Sequence, residues 1–238
     1  NCQTGGLLMA LFIVSTPIGN LADITFRAVS TLKEADYILT EDTRVSRKLL
    51  SHYDINVPLI AYHDFNKEKV TPSLVQKLKD GKNLALITDA GTPGIADPAY
   101  NLVKAAIEEN IKIVPVPGAS ALLAALVGSG MPTDRFVFEN FLPHKSSQRI
   151  KLFETLRDEP RTVIFYETPH RIIKVLSEIK EVLGNIKVVI ARELTKVFEE
   201  YLRGDPDSLL KHFEKHPPRG EMVIMLNTRF RTESEEDH

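Results

Sequence analysis

Two α/β domains are the fold class that this sequence predicts, and three features predict it. Short β-branched apolar runs alternate with longer amphipathic stretches along the chain, the signature of β-α units on a mainly parallel sheet. The pattern restarts near Pro117, with strict alternation before it and a mixture of hairpin-like and crossover connections after it. The length of 238 residues, 43% of them hydrophobic, gives each half enough apolar material for its own core. The expected bounds are residues 9–117 and 118–228, with a cleft between the domains, where ligands usually bind. Asn1–Leu8 reads as an added head before a native start at Met9, and residues 229–238 as an acidic, apolar-poor tail, disordered on that composition.

In the first half, strands are expected at Leu11–Ser15, Tyr37–Thr40, Leu59–Ala61, Leu84–Thr88 and Ile113–Val116. The helices between them are expected at Thr25–Ala35, Arg44–Tyr53, Lys67–Lys79 and Pro98–Asn110. The second half reads as helix Ala119–Val127, strand Arg135–Glu139, helix Ser146–Leu156, strand Thr162–Tyr166 and helix Pro169–Leu183. Strands near Lys187–Ala191 and Glu199–Arg203, a helix at Asp205–His216 and a strand at Glu221–Asn227 complete it.

Composition excludes several classes. No apolar run approaches the roughly 18 residues of a membrane span, and the opening segment lacks the basic start of a signal peptide. The single cysteine, Cys2, rules out internal disulfides, cysteine-based zinc sites and a cysteine nucleophile, which points to a cytoplasmic setting and to no metal. The net charge of −2 means that any nucleic-acid contact must come from a local basic surface.

In open α/β sheets ligands bind beyond the carboxyl ends of the strands. The loops expected there are Thr16–Asn20, Glu41–Arg44, Tyr62–Asn66, Asp89–Pro98 and Pro117–Ala121, all rich in Gly, Pro, Thr, Asp or His. Such residues also build ordinary turns; five such loops on one sheet edge weigh toward a site. The Asp89–Pro98 loop carries two aspartates, two glycines and no Lys or Arg. A phosphate site needs donor N–H groups and a cation, and neither the dinucleotide nor the P-loop fingerprint occurs, so a nucleotide-dependent dehydrogenase is disfavoured. A carbonyl-rich acidic loop suits a ligand with hydroxyls and positive charge, as S-adenosylmethionine has in its ribose, ammonium and sulfonium.

Taken in order, Thr16–Asn20, Glu41–Arg44, Asp89–Pro98 and Pro117–Ala121 resemble the tetrapyrrole methylase superfamily, and within it the ribosomal RNA branch that methylates a cytidine 2′-hydroxyl of 16S rRNA. The second half agrees through Pro132–Phe136, Phe141–Pro143 with Lys145-Ser146, Phe165–Arg171, Ala191–Lys196 and Pro217–Glu221. Any one of these motifs is weak, but the ordered set from about Leu11 to Asn227 is specific. Two departures stand out. Asn140 occupies a position where the family usually has Gly, and His63-Asp64-Phe65-Asn66 stands where it commonly reads His-Glu-His-Asn.

The resemblance implies S-adenosylmethionine held between two domains, transfer to 16S rRNA in the decoding region of the small subunit, and a homodimer. Carried onto this chain, the cofactor neighbours are Pro17, Asp89, Gly91, Thr92, Pro93, Ile95, Ala96, Ser120 and Ala121, with Phe141, Leu142 and Tyr166 from the second domain. Methyl transfer is an in-line displacement, so the protein must position the hydroxyl and ease the loss of its proton. Candidate catalytic residues are Asp42, His63 and Glu167, with His170 as a further base. The plain alternatives are an N-cap for Asp42, a loop histidine bonded to backbone for His63, and helix-start residues for Glu167 and His170. RNA contacts are expected from Arg44, Lys145, Arg149, His170, Arg171, Arg192 and Lys196. Lys151, Arg47 and Lys48 extend two of these clusters, which read equally as solvated helix faces. Tyr62 and Phe65 are candidate stacking partners, or core aromatics. Two rival readings share this pattern: a methylase of the same fold acting on a tetrapyrrole or other small acceptor, and a non-catalytic module for RNA binding or ribosome assembly.

Overall fold

The computed structural model describes residues 9–231. The chain divides into two compact units, the first ending at Ser120 and the second starting at Ala121. The head Asn1–Leu8 and the last seven residues lie outside the described residues.

The first unit is a parallel sheet of β1 (Ala10–Val14), β2 (Tyr37–Thr40), β3 (Leu59–Ala61), β4 (Leu84–Leu86) and β5 (Lys112–Val116), in the order β3-β2-β4-β1-β5. Alternating residues of each strand serve opposite faces. Leu11, Leu39, Leu84 and Leu86 join one core, with Leu74 and Leu78 of α3 (Lys67–Lys79) and Leu102 and Ala106 of α4 (Ala99–Glu108). Val14, Ile38, Ala85 and Ile87 face the other way, against Ala28 and Leu32 of α1 (Phe26–Glu34) and Leu50 of α2 (Thr43–His52). A strand period of two with apolar residues at every position is therefore a sheet covered on both sides, as a parallel sheet must be.

Caps explain where these helices begin. Thr25 accepts from Ala28 N at 3.0 Å at the start of α1, and Asp42 accepts from Arg44 N at 2.8 Å at the start of α2. Pro72 lies inside α3, at its sixth residue, where its missing N–H leaves the Glu68 carbonyl without its helical donor. A short 3-10 turn at Leu21–Asp23, capped by Asn20, was not anticipated from the sequence.

The second unit begins with α5 (Ala121–Ser129) and builds a mixed sheet in the order β6-β7-β10-β8-β9. Its strands are β6 (Phe136–Phe141), β7 (Thr162–Glu167), β8 (Ile186–Arg192), β9 (Glu200–Gly204) and β10 (Met222–Arg231). β6 and β7 run parallel, whereas β10 is antiparallel to both β7 and β8, and β8 to β9. One face packs on α6 (Ser146–Thr155), α7 (Ile172–Leu183) and α8 (Pro206–Lys215) through Phe153, Phe165, Leu176, Ile190, Phe213 and Ile224. On the opposite face α5 packs against β8, β9 and β10. A side chain at Gly128 would collide with Tyr201, whose hydroxyl donates to Ala124 O at 2.8 Å.

Four boundaries differ from expectation for identifiable reasons. The helix expected from Ala119 begins at Ala121, because the Ala119 carbonyl is taken by the Thr92 hydroxyl at 3.0 Å. The helix expected from Pro169 begins at Ile172, because Arg171 N closes a turn on Thr168 O at 3.2 Å. β6 runs on to Phe141 through a register shift opposite β7. β10 runs to Arg231, three residues into the stretch expected to be a disordered tail, because it continues to pair with β8.

Candidate functional site

All five strands of the first sheet end at one edge, and the chain leaves two neighbours in opposite directions. From β1 it crosses over β4 to β2; from β4 it crosses over β1 to β5. The β4/β1 pair is thus a topological switch point, where diverging loops open a crevice for ligands. Its two loops are tied together. Thr16 and Gly91 exchange backbone hydrogen bonds at 2.9 and 3.1 Å, and Thr16 Oγ1 donates to Thr88 O at 3.1 Å. Ser15 Oγ lies 2.9 Å from Thr92 Oγ1, which donates in turn to Ala119 O at 3.0 Å and so brings in the loop after β5. Gly91 adopts φ +86°, which an L side chain resists, and a Cβ there would sit 3.4 Å from Ile18 Cγ2. A Cβ on Gly118 would meet Ser15 Cβ at 2.9 Å, so this crossing also needs glycine.

The rim is acidic and short of cations. Glu41, Asp42, Asp64, Asp89 and Asp97 lie on its loops, which contain no Lys or Arg between residues 15 and 20, 41 and 42, 62 and 66, 87 and 98, or 117 and 120. Asp42 pairs with Arg44 at 2.7 Å and Asp64 with Lys67 at 2.8 Å. Glu41, Asp89 and Asp97 have no cationic partner among the described residues. Desolvation pushes the Glu41 carboxyl up, and the charges of Asp89 and Asp97 push it further. Desolvation also raises Asp89 and Asp97, against hydrogen bonds from Asp42 N and from Gly94 N and Ala99 N respectively. Three ionised carboxylates would repel one another here unless a cation joins them.

Asp42 is different. Hydrogen bonds from the Arg44 side chain and backbone hold its carboxyl at about 2. It caps α2 and pairs with Arg44, which accounts for both oxygens. A carboxylate so easily ionised is a weak proton acceptor.

The loop after β3 is clamped by Asn66, whose Oδ1 accepts from His63 N at 2.9 Å while its Nδ2 donates to Ala61 O at 3.0 Å. His63 is half-buried, and its Nδ1 is buried without a hydrogen-bond partner among the described residues. Tyr62 is a core residue, so of the two aromatic candidates only Phe65 reaches the surface, where it is 99% exposed.

Pro17, Thr92, Pro93, Ile95, Ala96 and Ser120 all lie on the switch-point loops with Asp89 and Gly91. Ala121 instead opens α5, in the second unit. There Tyr166 meets Phe138 and Phe141 edge-on at 4.9 and 5.4 Å, an aromatic group at the end of the parallel strands, with half of Phe141 exposed. Leu142 is a correction: its side chain is buried in the core, so it offers a ligand no apolar surface.

Of the charged candidates, Arg149 is overturned, and several others carry partners of their own. Arg149, expected on an RNA-facing helix, is 2% exposed and forks onto Glu178 at 2.6 and 2.7 Å, with its NH1 donating to Pro143 O and His144 O. Arg171 donates to Glu167 at 2.8 Å, to Leu142 O at 3.2 Å and toward Pro143 O and His144 Nδ1. Both guanidiniums therefore hold the Leu142–His144 loop, and Arg149 is buried away from any RNA phosphate. Glu167, expected to be catalytic, is fully buried in its side chain; Oε1 accepts from Arg171 and Thr168, while Oε2 has no partner among the described residues. Arg192 pairs with Glu200 at 2.6 Å, and Lys196 with Glu193 and Glu221 at 2.9 and 3.2 Å. Lys145 and His170 remain exposed, as does Arg44 beside Asp42.

Sequence reasoning placed Glu41 and Asp97 in its strand-end loops but did not name either as a site residue. For Asp97 the signal was available, since it is the second acid of a loop without Lys or Arg. Asn140 also explains itself. It sits at φ +60°, the left-handed region, with Oδ1 accepting from Phe141 N at 2.8 Å. Asparagine is among the few non-glycine residues that tolerate that conformation.

Comparison with known proteins bears on what this geometry serves. The profile of the Tetrapyrrole (Corrin/Porphyrin) Methylases matches residues 10–209. Ribosomal RNA small subunit methyltransferase I of Synechocystis sp. is 48% identical over 91% of this chain and 78% of its own length. The protein of the same name from Thermotoga maritima is 45% identical over 91% of this chain and 97% of its own. Among solved structures, diphthine synthase superposes with a TM-score of 0.73 over 94% of this chain and 91% of its own, at 14% identity. A cobalamin biosynthetic enzyme, cobalt precorrin-4 methyltransferase, gives 0.65 over 92% of this chain and 95% of its own, at 18% identity. At such identities the structures speak to the fold alone.

Proposed function

Because the chain belongs to the tetrapyrrole methylase family, and within it to the ribosomal RNA small subunit methyltransferase I group, we propose that it methylates the 2′-hydroxyl of a cytidine in the decoding region of 16S rRNA, using S-adenosylmethionine. Bound S-adenosylmethionine supplies a methyl group on a cationic sulfonium. The observation that carries the cofactor assignment is the rim at the β4/β1 switch point, where Glu41, Asp89 and Asp97 have no cationic partner among the described residues. A ligand bearing hydroxyls and two positive centres fits that donor set. Gly91 and Gly94 keep side chains out of its way, while Pro17, Thr92, Pro93, Ile95, Ala96 and Ser120 lie on the same loops.

The chain's own residues then divide the work. Asp42 caps α2 and orients Arg44, an exposed cation placed to meet an RNA phosphate. His63, on the neighbouring loop, is the candidate to take the hydroxyl proton, since imidazole is the side chain suited to gain and lose a proton near neutral pH. Glu167 and Arg171 act as positioning residues for the Leu142–His144 loop, beside which Lys145 extends into solvent. A ribosomal RNA substrate supports a cytoplasmic setting for the reaction. The homodimer implied by the resemblance accords with Leu123 and Val127, apolar residues of α5 that are 49% and 76% exposed. No helix among the described residues is long and apolar enough to cross a membrane.

The test is transfer of tritiated methyl from S-adenosylmethionine to small ribosomal subunits that lack this modification, with the product mapped to single-nucleotide resolution. One labelled cytidine ribose in the decoding region is the expected result. Cofactor binding by calorimetry without transfer to RNA would overturn the RNA reading in favour of a small acceptor or a non-catalytic role.

A further inference from the structure

The loop after β3 displays an aromatic ring in an unusual way. Phe65 sits at the apex of a turn in which Asn66 N and Lys67 N both donate to His63 O at 3.0 Å. The Asn66 side chain ties the same turn to His63 N and Ala61 O, and Lys67 pairs with Asp64 on its flank. Turn apices favour Asn, Asp, Ser and Gly, because they are solvated. Here the Asn66 side chain and the Asp64–Lys67 pair hold the turn, and the residue pushed outward is a phenylalanine, 99% exposed. Among the described residues its one ring contact is the edge of His63, at 6.2 Å between centroids. Lys69, four residues on, is exposed and has no ion pair among the described residues.

We infer that Phe65 is a stacking platform for an unpaired nucleobase of the RNA substrate, placed beside His63 so that the acceptor ribose is held at the rim. This rests on the RNA reading above. A rigid aromatic that presents its faces to water, with a free cation nearby for backbone phosphate, is the recurring means of gripping a splayed single strand. Rigidity is the functional point: the clamped turn presents the ring without an ordering cost when RNA arrives.

The experiment compares Phe65→Leu, Phe65→Tyr and Phe65→Trp with the unaltered protein in the subunit methylation assay. Stacking on an aromatic ring corresponds to roughly five- to 150-fold in affinity. Phe65→Leu is expected to raise KM for the subunit by about that factor with kcat nearly unchanged, while the Tyr and Trp variants stay near the original. The chain contains no tryptophan, so Phe65→Trp adds a lone reporter. Its fluorescence should be quenched by a single-stranded oligoribonucleotide spanning the mapped cytidine, and much less by the same strand with abasic sites. Normal KM in Phe65→Leu, or equal quenching by the abasic strand, would overturn the platform. So would a shift of Phe65→Leu to a smaller species by sedimentation, which would make the ring a self-association contact. Failure of the unaltered protein to methylate RNA would instead remove the function reading, and this inference with it.

Discussion

Thr16 and Gly91 exchange both of their backbone hydrogen bonds across the β1 and β4 loops, at 2.9 and 3.1 Å, although they are 75 residues apart. That bridge holds the switch-point rim in register, and Gly91 can form it at φ +86° only at the cost that its lack of a Cβ removes. Gly91→Ala should cost about 1–2 kcal/mol at that position. If the strain falls on the rim, the affinity for S-adenosylmethionine measured by calorimetry drops about tenfold. An unchanged Kd would mean that this loop does not touch the cofactor.

The uncompensated acids predict a pH dependence with a definite sign. Glu41, Asp89 and Asp97 have raised carboxyls, so their ionisation in the folded protein costs stability: the contribution is full below the unfolded value and is lost as pH rises through the folded one. A cationic ligand reverses this, because it binds the ionised form. Cofactor affinity should therefore weaken on acidification, beginning above the ordinary carboxylate range of about 4. Glu41→Gln should bind more weakly at neutral pH and show a flatter profile. Titration calorimetry between neutral and mildly acid pH decides it, and a flat profile for the unaltered protein would count against the assignment.

His63 is expected to act on the rate and not on the cofactor. His63→Ala should lower kcat by about a hundredfold or more, the usual range for a general base, with Kd for S-adenosylmethionine unchanged. A variant that keeps its kcat would return the proton to solvent or to another group.

Arg149 should matter to folding and not to RNA. Its side chain and that of Glu178 are 2% and 6% exposed, and Arg149→Ala strands a buried carboxylate, which costs about 3–5 kcal/mol in urea unfolding. Burial raises Glu178, but hydrogen bonds from Arg149 and Ser146 bring it below its usual value. The pair's contribution is thus present above the unfolded value and lost as pH falls through the folded one. The salt dependence of RNA binding should not move, whereas Arg44→Ala should reduce its slope by about one. A reduced slope in a stable Arg149→Ala protein would restore its phosphate role.

Asn140 offers a test of backbone strain. Asn140→Gly should raise the melting temperature slightly, and Asn140→Ala should lower stability by about 1 kcal/mol, since alanine at φ +60° has neither the freedom of glycine nor the Oδ1 contact to Phe141 N. Equal melting temperatures would show that the turn relaxes.

Most of the fold was legible in the sequence because the evidence for it is local. Lys67–Lys79, Tyr37–Thr40 and Leu59–Ala61 emerge with the bounds that their periodicity predicts. Two of the boundaries that moved are set by distant partners: Ala119 held by Thr92, and β10 continued by β8. At the site, strand-end position and residue type marked Asp89, Gly91 and His63 for attention, but not which charges cancel. A lysine or arginine reads alike in sequence whether it faces water, as Lys145 does, or lies buried against Glu178, as Arg149 does.

The linear sequence by itself determined that this is an α/β protein of the tetrapyrrole methylase kind, because strand and helix periods and ordered loop motifs are written in neighbouring residues. It also supplied an acidic, glycine-containing loop in which a cationic ligand finds no competing cation. Only the tertiary structure decided that β4 and β1 are neighbours that lead the chain apart, that Glu41 and Asp97 share the rim with Asp89, and that Asp42, Arg149 and Arg171 are occupied by partners of their own. The reason is physical. Burial, charge compensation and strand order depend on residues brought together from far along the chain, and no local pattern records them.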